Sequence, residues 1–572
     1  MFVAENLLRN EFFPSELPAC FNTVDLANCA QDAINAANMF GREYSVPLKY
    51  SGYKSEASRR KFAVPNPYHY CKVVDLIIRN ETDIAAILRK SKYSLTAPIE
   101  KSIKANQAYA KKSECIADTK REIEKQYQDN RYEIRLDISA FFDNVYTHSI
   151  PWAMHGIAHA KRNRNDKNLL GNQLDKQMRS MNYDQTNGIL VGNAASRIIS
   201  EIILCTIDEQ IQKQFPNISC RRFVDDYYIY TKDNAQIQEI ISFIRGSLAQ
   251  YELSFNENKI QINESPFLYG KPWVEQIKQY MHLQPDVFLS KLIMEYNIHK
   301  DIAIIKYGLK VISQCRYTNK NWPAMQSRLI NLWVRFPSLS DRIMPILWKN
   351  KDRLAKTALK KAVYSVISES LLLNREQELS WAVWFIKVFD INIAQSVIVD
   401  VLKSSSDIPK IVMLDVVYKM GMQGNPKIKQ QLNILYNDLA ASDVDDKGQS
   451  NTLMWTSHWL LAYEVDRNKW LNVDGKTFEF ARKNQFFKEL LKRKVKFYDT
   501  AFVYPEPEER TRNYEFATRT ELYVAMNKLK KMIAKRLENK EEQDKLTMTP
   551  EEAELYEELV DIWEQEETLY FG

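Results

Sequence analysis

The spacing of apolar residues divides the 572-residue chain into three regions. Residues 1–120 mix helical periodicity with a strand and turn between Phe62 and Pro67. Residues 121–290 alternate β-branched and aromatic runs with helical stretches. From 291 to 572 the strand pattern is missing and apolar residues recur at helical spacing. The pattern predicts an α+β fold for the first two regions, namely a fingers-like region and a central sheet, followed by an all-α region.

The C-terminal region has the pattern of consecutive amphipathic helices of similar length, separated by short polar breaks. Such helices bury their apolar faces against their neighbours, as stacked helical hairpins do. We therefore expect a HEAT-like helical repeat domain over residues 291–572. Near its end, Thr549, Pro550 and Glu552 supply an N-cap, a proline at the first helical position and a capping-box glutamate, which predict the start of a helix.

Composition narrows the class of protein without indicating an activity. Only 14 glycines and 19 prolines favour few tight turns and much helix. A formal net charge of +6 is too small an excess to indicate nucleic-acid binding by itself. Seven cysteines without any Cys-x-x-Cys spacing do not suit a disulfide framework. We expect a reduced, cytoplasmic protein.

Neither a signal peptide nor a membrane span is expected. The first residues place acidic side chains among the apolar ones and lack a basic segment followed by an apolar run. No stretch approaches the roughly 18 uncharged apolar residues that a spanning helix needs. The sequence therefore predicts no contact with a membrane.

Two acidic segments carry the candidate chemistry. Asp137 directly follows an apolar strand, where its carboxylate can hold a metal ion or, as the alternative, cap the next helix. Asp225 and Asp226 stand side by side between two β-rich runs, as at the tip of a hairpin. Such adjacent charges repel each other unless a cation neutralises them, and a solvated surface turn is the alternative.

The order of these segments predicts a site for phosphoryl transfer. Two metal ions about 3.5–4 Å apart require carboxylates from separate strands, and the three aspartates meet that requirement. Between them lies a turn whose glycines, Gly188 and Gly192, would let the backbone approach a nucleotide closely. After them comes Lys259, which could protonate the departing pyrophosphate.

The ordered set resembles motifs A, B, C and D of reverse transcriptases over roughly residues 55–270. More narrowly, GILVGNAASRIISEI and RFVDDYYIY are similar to the bacterial defence-associated, abortive-infection reverse transcriptases of the AbiK type. The resemblance implies that Asp137, Asp225 and Asp226 bind two Mg²⁺ ions, with Mn²⁺ as a substitute, and carry catalysis together with Lys259.

The same resemblance implies a nucleotide-binding set. Phe142, five residues after Asp137, falls at the sugar-gating position, where its ring would clash with a 2′-hydroxyl and favour deoxynucleotides. The basic segment 58–65 resembles the part of the fingers that grips the triphosphate, with a solvated basic turn as the alternative. The implied nucleotide-binding residues are Arg59, Arg60, Lys61, Phe142, Gly188, Gly192 and Arg197.

Two departures from the usual motifs bear on the activity. Retroelement enzymes usually carry Tyr-Ala-Asp-Asp and Pro-Gln-Gly, whereas this chain has Phe-Val-Asp-Asp and Leu-Val-Gly. The resemblance implies a homo-oligomeric bacterial antiphage enzyme that joins dNTPs into single-stranded DNA attached to a tyrosine, without a template. Two alternatives stay open: a templated reverse transcriptase that uses a noncoding RNA, and an inactive polymerase fold that serves as a scaffold.

Overall fold

The computed structural model describes residues 1–281, 283–315, 317–443, 452–473 and 475–504. The elements before the central sheet are α1 (Ala4–Arg9), α2 (Val24–Asn28), α3 (Ala30–Met39), β1 (Leu48–Tyr53), β2 (Arg59–Val64), α4 (Pro67–Arg79), α5 (Glu81–Leu88) and α6 (Ile116–Glu124). The central region contains β3 (Tyr132–Asp137), α7 (Phe141–Asn144), α8 (Ser149–His155), α9 (Ile157–Arg162), α10 (Leu170–Met181), α11 (Ala194–Gln214), β4 (Ser219–Phe223), β5 (Asp226–Thr231), α12 (Gln236–Ala249) and β6 (Gln261–Glu264).

The elements after the sheet are α13 (Trp273–Lys278), α14 (Pro285–His299), α15 (Ile302–Ile312), α16 (Trp322–Arg335), α17 (Ser340–Lys349), α18 (Lys356–Leu372), α19 (Glu376–Val388), α20 (Gln395–Leu402), α21 (Asp407–Lys419), α22 (Pro426–Ala441), α23 (Trp459–Asn468), β7 (Asn472–Val473), β8 (Lys476–Thr477), α24 (Phe480–Lys483) and α25 (Gln485–Lys492). The predicted helix start at 549–552 lies outside the described residues.

The central sheet has four antiparallel strands in the order β4-β5-β3-β6. Its strand β5 is covered on both faces, and alternate residues of a strand point to opposite faces. Tyr227 and Ile229 are buried in the main core, and Tyr227 bonds to α11. Tyr230 packs with Tyr127 and Phe267 in a smaller cluster. The sheet is therefore a rigid support for whatever its strand ends carry.

The β-branched and aromatic run at 253–262 forms only a short strand in the structure. Most of this segment forms a loop and a 3-10 turn, Glu257–Lys259, and regular pairing with β3 begins only at Gln261. The loop is held by two backbone contacts, in which the Asn256 amide donates to the Asp137 carbonyl at 2.8 Å and Ile138 bridges Phe255. Residues 253–260 therefore lie beside the end of β3, and only the residues from Gln261 onward belong to the sheet.

The hairpin β1-β2 is anchored by a helix more than 300 positions away. The N-terminus of α19 holds the outer strand, since Gln377 accepts from the Tyr53 amide at 2.7 Å and Glu376 accepts from the Ser51 amide. Phe62, on the other strand, is buried. The C-terminal region thus fixes the position of the N-terminal hairpin.

The C-terminal region is helical, with one exception among its described residues. The sequence predicts no strand after residue 290, but β7 and β8 form a two-residue ladder around Gly475, whose φ of 77° suits a tight turn. Neighbouring helices pack through large aromatic side chains; Trp333 of α16 stacks on Phe385 of α19 with centroids 4.3 Å apart. The tryptophans of this region thus belong largely to its core.

The last described segment returns to the start of the chain. The Asn22 amide donates to the Phe497 carbonyl at 3.1 Å, and the Asp499 amide donates to the Cys20 carbonyl at 2.8 Å. Phe21 and Tyr498 pair between these bonds as an isolated antiparallel bridge. The N-terminal region is therefore completed by the residues that follow α25.

All seven cysteines are free thiols. None of the helices in the described ranges has both the length and the apolar content needed to cross a bilayer.

Candidate active site

Adjacent strands bring the two acidic segments together. Asp137 is the last residue of β3, Asp226 is the first residue of β5, and the two are paired directly across the antiparallel ladder. Directly opposed residues project from the same face with Cβ atoms about 5 Å apart. Asp225 belongs to the two-residue turn between β4 and β5. The predicted hairpin tip is confirmed, and the three carboxylates lie at one end of the sheet.

The turn contains a residue in an unfavourable backbone conformation. Val224 has a φ of 54°, which a β-branched side chain rarely adopts. Both its polar backbone groups are bonded: the amide donates to Thr96 Oγ1 at 3.1 Å and the carbonyl accepts from Arg222 Nη1 at 2.8 Å. Such a conformation persists only where its surroundings hold it. Thr96 and Arg222 therefore fix the orientation of the neighbouring aspartate pair.

Arg222 is the centre of a fully buried ion network. Its guanidinium lies 2.9 Å from Glu201 and 2.8 Å from Asp208, both on α11 and both buried. Tyr227 donates to Asp208 at 2.8 Å, and Thr96 donates to Glu201 at 2.6 Å. One buried cation thus links the β4-β5 hairpin to the long helix α11.

This network was not predicted from the sequence. The signal was available, because Glu201 and Asp208 lie seven residues apart on one face of an otherwise apolar helix. Buried acids at such positions require a partner, and Arg222 immediately precedes the Phe-Val-Asp-Asp motif. Nothing local in the sequence shows which of the neighbouring arginines, Arg221 or Arg222, points inward.

The electrostatics of the aspartates indicate a shortage of positive charge. Burial, followed by the charges of Asp225 and Asp137, raises the pKa of the Asp226 carboxyl from its ordinary 3.8 to about 7. Burial likewise raises the pKa of Asp225, with a further contribution from Asp137. Opposing cations are needed to keep such a group fully ionised at neutral pH. A divalent cation would meet this need.

Lys259 supplies one positive charge at the site. Its ammonium lies 2.9 Å from Asp137 Oδ2, and this hydrogen bond raises the lysine pKa. Lys259, Asp137 and Asp226 line a small cleft of about 170 Å³. Within the described ranges, no three His, Cys, Asp or Glu side chains stand ready-made as a set of metal ligands. Asp137 is instead paired with the lysine.

A pH-dependent gain in stability is expected from Asp226→Asn in the presence of a chelator. Because the folded-state pKa of about 7 exceeds the ordinary 3.8, the stability contributed by the protonated carboxyl is complete below about pH 4 and is lost as pH rises through 7. A tenfold change in proton affinity is worth about 1.4 kcal/mol, and the neighbouring carboxylates share the effect. We expect the free energy of unfolding of the variant to exceed that of wild type by about 1–2 kcal/mol near pH 8.

Urea unfolding between about pH 4 and pH 8 measures this difference. Asp143→Asn is the matched control, because Asp143 is an exposed carboxylate in the neighbouring α7. An Asp226→Asn gain that is independent of pH, or equal to the gain of the control, would contradict the assignment of the raised pKa.

The motif B glycines serve the fold of the site. Gly188 and Gly192 have φ values of 83° and 105°, which favour glycine. A Cβ at Gly188 would lie 3.1 Å from the Asp143 carbonyl, and one at Gly192 would lie 3.1 Å from Pro14. Protein atoms thus lie beside the Cβ position of both glycines, and the approach of a nucleotide to their backbone stays a prediction.

Phe142 lies next to this turn. Its carbonyl accepts from the Ile189 amide at 2.9 Å, and the Val145 carbonyl accepts from the Gly188 amide at 2.9 Å. The Phe142 ring is partly exposed and contacts Phe141 edge-on. Backbone hydrogen bonds therefore hold the Phe142 segment against the Gly188 turn, and the Phe142 ring takes no part in them.

The predicted basic residues do not all lie free for a triphosphate. Arg59 forms a two-pronged pair with Glu378 at 2.6 and 2.7 Å, and Arg197 pairs with Glu11 at 3.1 Å. Arg60 and Lys61 are exposed on β2. Arg59 and Arg197 thus contribute to contacts within the protein, whereas Arg60 and Lys61 have their charges in solvent.

Comparison with known proteins supports the assignment of the motifs. Residues 82–278 match the family model described as reverse transcriptase (RNA-dependent DNA polymerase). No curated protein matches the chain.

Among solved structures, the chain is similar to telomerases at low scores. It matches apo telomerase from Candida tropicalis at 10% identity and a TM-score of 0.32, covering 72% of this chain and 69% of that chain. A C-terminally truncated form is matched at 12% identity and a TM-score of 0.29, covering 40% of this chain and 52% of that chain, about half its length. Telomerase from Candida albicans, in complex with a TWJ fragment of telomeric RNA, is matched at 11% identity and a TM-score of 0.26, covering 60% of this chain and 66% of that chain.

Scores of this size carry no inference about function. The family match spans the four-stranded sheet, the three aspartates, motif B and Lys259, which are the parts of the chain that the structure brings together. Residues 82–278 therefore form a domain of the reverse transcriptase family.

Proposed function

We propose that this protein is a DNA-synthesising nucleotidyltransferase of the reverse-transcriptase type. The observation that carries the proposal is the convergence of Asp137, Asp225 and Asp226 at one end of the sheet, with a pKa near 7 at Asp226. Strongly shifted carboxyl pKa values are typical of functional sites. Polymerase chemistry makes use of such a set, because it requires several carboxylates in one place.

The three aspartates would hold Mg²⁺, with Mn²⁺ as a substitute. Two such ions, when bound, activate the attacking hydroxyl and stabilise the leaving pyrophosphate. Lys259 pairs with Asp137 and would release this carboxylate on metal binding. Its ammonium would then be free to donate a proton to the pyrophosphate. Of the predicted nucleotide-binding cations, Arg60 and Lys61, both exposed on β2, would contact the triphosphate.

The narrower proposal is a protein-primed, template-independent enzyme of the AbiK-like family that acts in antiphage defence in the bacterial cytoplasm. It is supported by the Leu-Val-Gly and Phe-Val-Asp-Asp motifs and by the long helical C-terminal region, for which we propose a HEAT-like repeat. The substrates would be dNTPs, the product would be single-stranded DNA joined to a tyrosine, and the active form would be a homo-oligomer.

Incubation of the purified protein with Mg²⁺ and each labelled dNTP, without template or primer, tests this proposal. We expect label that remains on the protein in denaturing gels, resists removal until protease is added, and is destroyed by DNase. Absence of incorporation with every nucleic acid and metal tried would favour a scaffold role and would overturn the enzymatic proposal.

A second candidate is templated synthesis with a noncoding RNA. The observation that favours it is the RNA-dependent polymerase family to which residues 82–278 match. Synthesis that begins only after RNA and a primer are supplied, or an RNA of defined ends that co-purifies with the protein, would decide for this candidate over protein priming.

Loss of the ring at Phe142 is expected to relax sugar selection. If the ring excludes a 2′-hydroxyl, Phe142→Ala should raise the ratio of ribonucleotide to deoxynucleotide incorporation by about 10- to 100-fold, the range that one steric contact supplies. Phe142→Tyr keeps the ring and should retain wild-type selection. Competition between labelled dNTP and rNTP measures the ratio, and equal ratios in the three proteins would remove Phe142 from the sugar-gating role.

A further inference from the structure

A second cleft, separate from the three aspartates, lies between α4 and α10. Its volume is about 1280 Å³, which exceeds the roughly 300–1,000 Å³ of small-molecule sites. Its lining comes from α4, α8 and α10, and from residues 160–167, which span the end of α9 and the loop that follows it. The cleft is therefore large enough for an extended ligand.

Positive charge is concentrated in this cleft. Seven lysines and arginines line it, against three aspartates, an excess of four charges in a chain whose net charge is +6. The aspartates are already engaged: Asp75 pairs with Arg79 at 2.7 Å, Asp175 pairs with Arg179 at 3.2 Å, and Asp166 accepts from the Asn168 amide.

The remaining cations have no carboxylate partner among the described residues. They are Lys72, Lys161, Arg164, Lys167 and Lys176. All but Lys72 are exposed, so their charges face the solvent of the cleft. Lys72, on α4, instead lies 3.5 Å from the Phe40 carbonyl and 4.5 Å from the centre of the Tyr68 ring. The four exposed cations repel each other and attract a polyanion.

Aromatic side chains lie among these cations. Tyr146 and Trp152 both line the cleft and are partly exposed, with ring centroids 5.7 Å apart. The Lys161 ammonium lies 5.1 Å from the Trp152 ring. Cations that track a phosphate backbone, interleaved with rings on which bases stack, are the features of single-strand binding grooves. An inorganic anion would use only the cations.

The position of the cleft connects it to the candidate active site. Tyr146 lies four residues after Phe142, and its backbone bridges Asn187, next to the Gly188 turn of motif B. A strand bound in the cleft would therefore pass beside the segment that carries the sugar-gating position. We propose that this cleft binds single-stranded nucleic acid, with phosphates at the four exposed cations and bases against Trp152 and Tyr146. The proposal deepens the proposed function and rests on it for the identity of the strand as product or template.

Binding of labelled oligonucleotides to the full chain tests the proposal without any need for synthesis. Fluorescence anisotropy is measured with a 20-mer of DNA and a 20-mer of RNA of equal sequence, without dNTPs, over a series of salt concentrations. The variant Lys161→Gln/Arg164→Gln/Lys167→Gln should bind on the order of 100-fold more weakly at about 0.1 M salt. The slope of log affinity against log salt should fall in magnitude by about 2, because each single-strand phosphate contact contributes about 0.7.

Two control variants isolate the cleft. Lys361→Gln/Lys427→Gln/Lys429→Gln removes the same charge from exposed residues of α18 and α22 and should bind as wild type does. Trp152→Ala should lose about 10-fold in affinity and Trp152→Phe should lose less, because a ring still stacks. Equal affinities and salt slopes for the two triple variants would overturn the proposal.

The two probes identify the source of the strand. A loss confined to RNA assigns the cleft to a template or noncoding RNA, a loss confined to DNA assigns it to the product, and either loss supports the proposal. Wild-type binding to phosphatidylserine vesicles that is lost in the cleft variant, while oligonucleotide binding persists, would assign the cleft to membranes and overturn it. If the wild-type protein incorporates no dNTP but the cleft variant still binds oligonucleotides more weakly, the cleft proposal is supported and only the enzymatic proposal is overturned.

Discussion

Asp225→Asn together with Asp226→Asn is expected to abolish DNA synthesis and leave the fold intact. Asparagine keeps the shape of both side chains and removes the two charges that would bind metal ions at the hairpin tip. Metal ions contribute several kcal/mol to such transition states, and a loss of about 4 kcal/mol lowers the rate roughly 1,000-fold. The burial of charge and the mutual repulsion that raise the pKa of Asp226 disappear as well, so the variant should be no less stable than wild type.

The measurement is incorporation of labelled dNTP at saturating Mg²⁺, with thermal unfolding as the check on the fold. Asp129→Asn is the control, because Asp129 is 84% exposed and has a φ of 56°, which asparagine tolerates. Synthesis by the double variant within a few-fold of wild type would refute the assignment of the metal-binding residues.

Arg222→Leu is expected to destabilise the protein by about 3–5 kcal/mol. The change leaves two buried carboxylates, Glu201 and Asp208, without their cation, and an uncompensated buried charge costs that much. It also removes the donor to the Val224 carbonyl, so the aspartate turn should lose its fixed orientation. We therefore expect synthesis to fall even under conditions where the variant remains folded.

A variant in which the buried network carries no charge separates the loss of stability from the loss of the hydrogen bond to Val224. Adding Glu201→Gln and Asp208→Asn to Arg222→Leu removes the unpaired charges and should restore most of the stability, while synthesis stays low because Val224 still lacks its donor. Arg221→Leu serves as the control. Arg221 is 20% exposed, and its ion pair with Glu122 is long, at 3.6 Å. Urea unfolding measures the stability, and a loss below about 1 kcal/mol for Arg222→Leu would show that the network is not needed for folding.

Local patterns were sufficient to predict the centre of the site. The β-branched runs around Asp137 and Asp226 and the long apolar helix between them form β3, β5 and α11. Strands joined by a short turn usually pair, so the position of Asp225 and Asp226 at the tip of the β4-β5 hairpin could be predicted. The order of the motifs then predicted that Asp137 lies beside them.

Contacts between distant parts of the chain could not be predicted. Arg59 looks like a free cation in a basic segment, but its partner, Glu378, lies 319 positions away on α19. Gly188 and Gly192 mark a turn in the sequence, but the atoms that crowd their Cβ positions, from the Asp143 backbone and from Pro14, belong to other parts of the chain. In each case the sequence correctly indicated an unusual residue, and the partner that gives it its role is supplied by tertiary packing.

The second cleft illustrates the same limit. Lys72 and Lys176 each look like an ordinary polar position of an amphipathic helix. Only the packing of α4 against α10 places their charges in one space, together with the loop after α9. The sequence shows how many lysines and arginines the chain has. Which of them lie close together in space depends on which helices pack against each other.

The pairing of Cys20–Asn22 with Phe497–Asp499 has a consequence for biosynthesis. The ribosome must add roughly 480 residues after Cys20 before the partner segment exists, which at about 5–20 residues per second takes about half a minute to a minute and a half. During that time the buried side chains around Phe21 have no covering strand, and they are open to chaperones or to another nascent chain. Closing so long a loop also costs entropy, which slows the final step. The segment around Phe21, although it is translated long before residues 497–499, is therefore among the last parts of the described chain to reach its native contacts.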